Sequence, residues 1–95
     1  MMNKQDLNNK LAELYELAPK LGKTYLIDDS ARMFDLSVQY SVDINYINDY
    51  DFVVADIKIN DEKFVRASSE YKDHKTPSDA AKYAIAMALI ELKGE

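Results

Sequence analysis

The stretch MFDLSVQYSVDINY, residues 33–46, alternates apolar and polar side chains almost without fault. Phe34, Leu36, Val38, Tyr40, Val42, Ile44 and Tyr46 interleave with Asp35, Ser37, Gln39, Ser41, Asp43 and Asn45. Successive residues of a strand point to opposite faces, so this period predicts one long strand. Its apolar side would face helices, with Tyr40 and Tyr46 in the core, and its polar side would form half of an acidic outer face.

Working outward, INDYD (47–51) offers turn residues without glycine and predicts a loop of several residues. FVVADIKIN (52–60) predicts a second strand, with Val53, Ala55, Ile57 and Ile59 on one side and Phe52, Val54, Asp56 and Lys58 on the other. Phe52 then lies on the outer face, unless a bulge turns it inward. Asn60 and Asp61 tolerate the positive backbone angles of a tight turn, so a third strand should follow over Lys63–Ser68. SSEYKDHK (68–75) reads as an exposed loop. Thr76 as cap, Pro77 at the first helical position and Asp79 in the first turn announce a helix through TPSDAAKYAIAMALIEL, residues 76–92. Its alanines allow close approach to a sheet.

Upstream, Leu7, Leu11, Leu14, Ala18 and Leu21 recur at helical spacing, predicting a helix over Lys4–Ala18 capped by Asn3, with Gly22 as a stop. KTYLIDDS (23–30) is open between a short strand and a packed loop. The order helix, strand, strand, strand, helix predicts an α+β domain spanning residues 1–95. It would be a three-stranded antiparallel sheet with the N- and C-terminal helices on one face and the other face open.

A chain of 95 residues buries only about 60–65% of its unfolded surface, so the core is expected to be small and two-layered. With 47% apolar residues it lies in the globular range, and two glycines and two prolines leave most of it for regular elements. It contains no cysteine, which removes disulfides, thiolate nucleophiles and sulfur metal ligands. No signal-peptide pattern and no membrane-length apolar run occurs, and a cytoplasmic protein is expected. Abundant Asn, Lys, Ile and Tyr suit an AT-rich genome such as that of a low-GC bacterium or one of its phages. Charge is uneven: from Asp28 to Glu62 nine acids face two bases, a balance of −7, whereas the remainder carries ten bases and eight acids, a balance of +2. Such a segment repels phosphates and attracts basic surfaces.

FVVADIKINDEKFVRASSE (52–70) followed by TPSDAAKYAIAMALIEL resembles the second hairpin and closing helix of the double-stranded-RNA-binding domain. Ala80, Ala84, Ala88, Leu89 and Leu92 stand where that family packs small and apolar side chains. The resemblance implies the α-β-β-β-α fold. It also implies an alternative function, nucleic-acid binding through a basic edge of Arg66, Lys72, Lys75 and Lys82. The family's helix-start lysines are replaced here by Pro77, Ser78 and Ala81, with Asp79 among them. INDYD, moreover, lacks the family's Gly-Pro-His type segment. Phosphate neutralisation supplies most duplex affinity, so ordinary RNA binding is not expected.

No enzymatic pattern emerges. His74, beside Asp73 in a polar loop, has no nucleophile or second base at a defined spacing. DINYINDYD (43–51) fails as a calcium loop, because Asn48 stands where glycine is needed and Val54 where the bidentate glutamate is needed. Asp28 and Asp29 read as capping or solvated residues, and no cofactor or metal is expected. The expectation is a small acidic module, a phage or mobile-element regulator or inhibitor, that binds a protein with a basic surface. Its contact residues would be Asp35, Asp43, Asp49, Tyr50, Asp51, Phe52, Val54 and Asp56, an apolar spot with an acidic rim. A homodimer through the open face or a strand edge is a further reading.

Overall fold

The computed structural model describes residues 2–94. Helix α1 (Lys4–Tyr15) starts where Asn3 accepts the Asp6 N–H at 2.8 Å. It ends three residues before the expected Ala18. Glu16 takes the left-handed conformation, and Leu17 N–H bonds Ala12 C=O at 2.8 Å, a closing pattern that stops the helix. Pro19 then disfavours a helical Ala18, so the helix cannot resume before it. Strands β1 (Lys20–Leu21) and β2 (Thr24–Tyr25) form a two-stranded ribbon around Gly22, whose φ of 63° gives glycine a turn role here rather than the helix stop read from sequence. A 3₁₀ turn, Leu26–Asp28, buries Leu26 and Ile27. Asn8, fully buried on α1, ties this excursion down: its amide donates to Pro19 C=O at 2.9 Å and its oxygen accepts the Ile27 N–H at 2.8 Å.

The predicted long strand divides. Residues Ser30–Gln39 form helix α2, and only Asp43–Ile47 form strand β3. Asp29 caps α2 by accepting the Arg32 N–H at 3.1 Å, and Met33, Leu36 and Ser37 turn into the core. These positions sit three and four apart, so the alternating stretch also carries a helical stripe, and the cap decides between the two periods. Phe34 and Val38, expected inside, are exposed, at 65% and 63%. Tyr40 stays half-buried beyond the helix end, edge-on to Tyr15 with ring centroids 5.0 Å apart. Ser41, at φ 53°, turns the chain into β3.

After a 3₁₀ turn (Asn48–Tyr50) come β4 (Phe52–Asn60) and β5 (Lys63–Glu70), in the antiparallel order β3-β4-β5 with β4 central. A short 3₁₀ turn, Tyr71–Asp73, leads to α3 (Pro77–Lys93), which Thr76 caps through the Asp79 N–H at 3.1 Å. The α+β fold is as expected, with one helix more. Helix α3 lies directly on β4 and β5, and α1 and α2 pack against α3. Ala80, Ala84, Ala86, Ala88 and Leu89 on α3, with Val53 and Ala55 on β4, have no exposed surface. Burial alternates along β4: Val53, Ala55 and Ile57 face α3, so Phe52, Val54 and Asp56 face away.

Candidate functional site: the open sheet face

Register assigns every residue of the outward face. Asp43 stands beside Asp56 and Asp56 beside Arg66, Asn45 beside Val54 and Val54 beside Ser68, Ile47 beside Phe52 and Phe52 beside Glu70. Phe64, beside Lys58, shares the face and is 54% exposed. The face is therefore apolar towards its ends, with Ile47, Phe52 and Val54 together at one and Phe64 at the other, and Asp43, Asp56 and Arg66 between them. No bulge turns Phe52 inward: the register break in the β4–β5 pairing lies between Lys58 and Asn60.

The acidic character of this face is partly cancelled. Arg66 grips Asp56 with two hydrogen bonds, Nε to Oδ1 at 2.7 Å and Nη2 to Oδ2 at 3.2 Å. The bond to Asp56 and its negative charge hold the guanidinium above its usual range, while the same group stacks on the Phe64 ring at 5.0 Å. The unneutralised acid lies at the β3–β4 end, where Asp49, Tyr50 and Asp51 form the tip. Tyr50 is 77% exposed. Asp51 adopts φ 56°, a conformation aspartate tolerates, and its carbonyl accepts the Tyr71 N–H at 2.9 Å. The Tyr71 hydroxyl donates to Asn48 Oδ1 at 2.7 Å, so the tip is braced by the segment after β5. Partial burial, then the charges of Tyr46 and Asp51, raises the Tyr71 pKa and keeps that donor protonated.

Seven of the eight expected contact residues thus gather on this face or its tip: Asp43, Asp49, Tyr50, Asp51, Phe52, Val54 and Asp56. Asp35 does not. It lies on α2 with Arg32 and Gln39, beside a pocket of about 220 Å³, because residues 30–39 are helical. Ser37 and Gln39 leave the expected face for the same reason. Tyr46 points to the α3 side of the sheet as expected, yet at the edge strand it remains 47% exposed. Sequence reasoning also missed Ile47, assigned to the loop, and Phe64, although the alternation in KFVRASSE put Phe64 with Arg66 and Ser68.

The four cations of the nucleic-acid reading do not form one surface. Arg66 is on the open face, whereas Lys75 and Lys82 line a cleft on the helix side. Lys72 bonds Glu70 at 3.1 Å, and that bond, then the Glu70 and Asp73 charges, raises its pKa. Lys82 bonds Asp79 at 3.1 Å and donates to Ser30 Oγ and Asp28 C=O. The Lys82 bond is the main reason the Asp79 carboxyl sits below its usual range. Lys75 alone of the four makes no ion pair among the described residues.

His74 corrects the sequence reading most sharply. The 3₁₀ turn at Tyr71–Asp73 folds its loop back, half-burying the ring 4.9 Å from Tyr83, with Nε2 2.7 Å from the Ser69 hydroxyl. Ser69, on the buried side of β5, was the undetected partner. Among the described residues no group of three or more histidines, acids or cysteines is placed to hold a metal, and no helix is long and apolar enough to cross a membrane. No protein-family model, curated protein or solved structure matches the chain.

Proposed function

We propose that the protein is a non-enzymatic protein-binding module whose contact surface is the open face of the β3-β4-β5 sheet. The observation that carries this reading is the apolar cluster of Ile47, Phe52 and Val54 beside the acidic tip, two of them on the central strand, with no element of the described chain covering it. Apolar anchors inside a polar rim are how protein interfaces concentrate affinity. Asp43, Asp49 and Asp51 supply a negative rim, and the chain as a whole carries −5, so the complementary partner is a protein with an apolar spot framed by bases. A braced tip loses little entropy on docking. Such a module acts by occupying a basic surface, as a regulator or inhibitor does. The test is affinity capture from host lysate with wild type, Val54→Asp and the pair Asp49→Lys with Asp51→Lys, each checked for native circular dichroism. A specific partner retained by wild type and lost by both variants is expected; no partner, or one indifferent to them, sinks the reading.

The α-β-β-β-α element order is compatible with a double-stranded-RNA-binding-domain-like arrangement, which keeps nucleic-acid binding as the second reading. Its proposed cations are dispersed and mostly paired, which weighs against it. A gel shift with duplex RNA at low salt checks it, since electrostatic binding appears there first and falls steeply as salt rises.

A further inference from the structure

A cleft of about 990 Å³ lies between the end of β5 and helix α3. One wall is the end of β5, Ser68, Ser69 and Glu70; the other is α3, through Lys82, Tyr83 and Met87; Lys4 and Ile27 close it from the N-terminal half. β5 is an edge strand, paired only with β4, so alternate residues along it direct N–H and C=O groups away from the sheet. Tyr83, Met87 and Ile27 give the cleft an apolar floor.

The cleft's charge selects its occupant. Lys4 is 2.5 Å from Asp28 and Lys82 is 3.1 Å from Asp79, so two of its three lysines are neutralised within the wall. Lys75 remains, opposed by Asp73 and by Glu70, itself bonded to Lys72. A nearly balanced lining does not match a phosphate-rich or strongly cationic ligand. It matches a polypeptide backbone, which is neutral and needs the donors and acceptors that an edge strand offers. We infer that this cleft takes an extended peptide segment of a partner protein, added as a fourth strand beside β5 with alternate apolar side chains seated on Tyr83 and Met87. A groove between an edge strand and a helix is the geometry of strand addition. The Ser69–His74 bond ties the loop before α3 to the end of β5 and so fixes that end of the groove.

The inference stands apart from the sheet-face reading, because Ile47, Phe52 and Val54 do not line the cleft. A random dodecapeptide library displayed on phage is panned against the full chain, and an enriched sequence is synthesised and titrated into isotope-labelled protein. The expected result is enrichment of sequences with alternating apolar residues. The synthetic peptide should shift the amide resonances of Ser68, Ser69, Glu70, Tyr83 and Met87 and slow amide exchange in β5. N-methylation of alternate amides on one edge of the peptide should weaken binding roughly tenfold or more through lost backbone bonds, while the other edge tolerates it. The inference is overturned by no enrichment, by shifts confined to Phe52 and Val54, by indifference to N-methylation on both edges, or by inorganic phosphate alone reproducing the same shifts.

Discussion

At the scale of single residues, the fold leans on polar groups whose partners are distant in sequence. Asn8 has no exposed surface and bridges Pro19 to Ile27, joining both ends of the β1–β2 ribbon to α1. Asn8→Leu should cost about 1–3 kcal/mol in urea unfolding, because it strands the buried Ile27 N–H, while the Pro19 carbonyl keeps the Leu26 N–H at 2.8 Å. Its role was not legible in the sequence, where an asparagine beside Leu7 looks like the solvated flank of an amphipathic helix. Tyr15 is the titratable counterpart. Its hydroxyl donates to Leu89 C=O, and burial, then the neighbouring Tyr40, pushes its pKa up to about 12. Tyr40 and the Lys93 ammonium, 4.9 Å from the ring centroid, are the titratable groups against it. A phenol whose folded pKa exceeds its unfolded value stabilises the native state fully below the unfolded pKa, and that contribution is lost as pH rises toward the folded one. Stability should therefore fall between about pH 10 and pH 12. Tyr15→Phe should flatten part of that fall and cost about 1 kcal/mol at neutral pH, measured by urea titration at stepped pH.

At the scale of elements, the decisive case is α2. Period two over residues 33–46 was real, yet Met33, Leu36, Ser37 and Tyr40 form an equally good helical stripe, and the deciding signal was Asp29 as an N-cap. Composition at the boundary, not the alternation inside it, held the information. The two readings make opposite energetic predictions. A strand would bury Phe34 and Val38, so truncating each to alanine would cost several kcal/mol. In the helix both are exposed, and Phe34→Ala and Val38→Ala should each change stability by less than about 0.5 kcal/mol. Met33→Ala should instead cost about 2–5 kcal/mol, since Met33 has no exposed surface. Chemical denaturation of the three variants separates the cases. β4 shows the opposite situation: its parity in the sequence pointed Phe52, Val54 and Asp56 outward unless a bulge intervened, and the register break falls only between Lys58 and Asn60, so that parity holds.

At the scale of the molecule, the open face was legible and the cleft was not. The face is built from neighbours along three consecutive strands, so alternation and hairpin register determine it. The cleft is assembled from Lys4, Ile27, Ser69, His74 and Met87, whose proximity follows only from how α1 and the 26–28 turn settle on α3. Everything converges on that helix, which touches the sheet on one side and the other helices on the opposite side. Alanine at 80, 84 and 88 keeps the layers close, and none of the three has exposed surface. An enlarged side chain there has nowhere to go without separating layers, because protein interiors are packed to crystal-like density. Ala84→Leu should thus destabilise by about 1–3 kcal/mol or more. The loss should appear in one cooperative transition, since α3 is shared by the sheet and by both other helices. Coincident melting of the far-ultraviolet signal and of tyrosine fluorescence, at a lowered midpoint, is the expected outcome. Two separated transitions would mean that the sheet and the α1–α2 layer are stable without each other, and that α3 is not their common support.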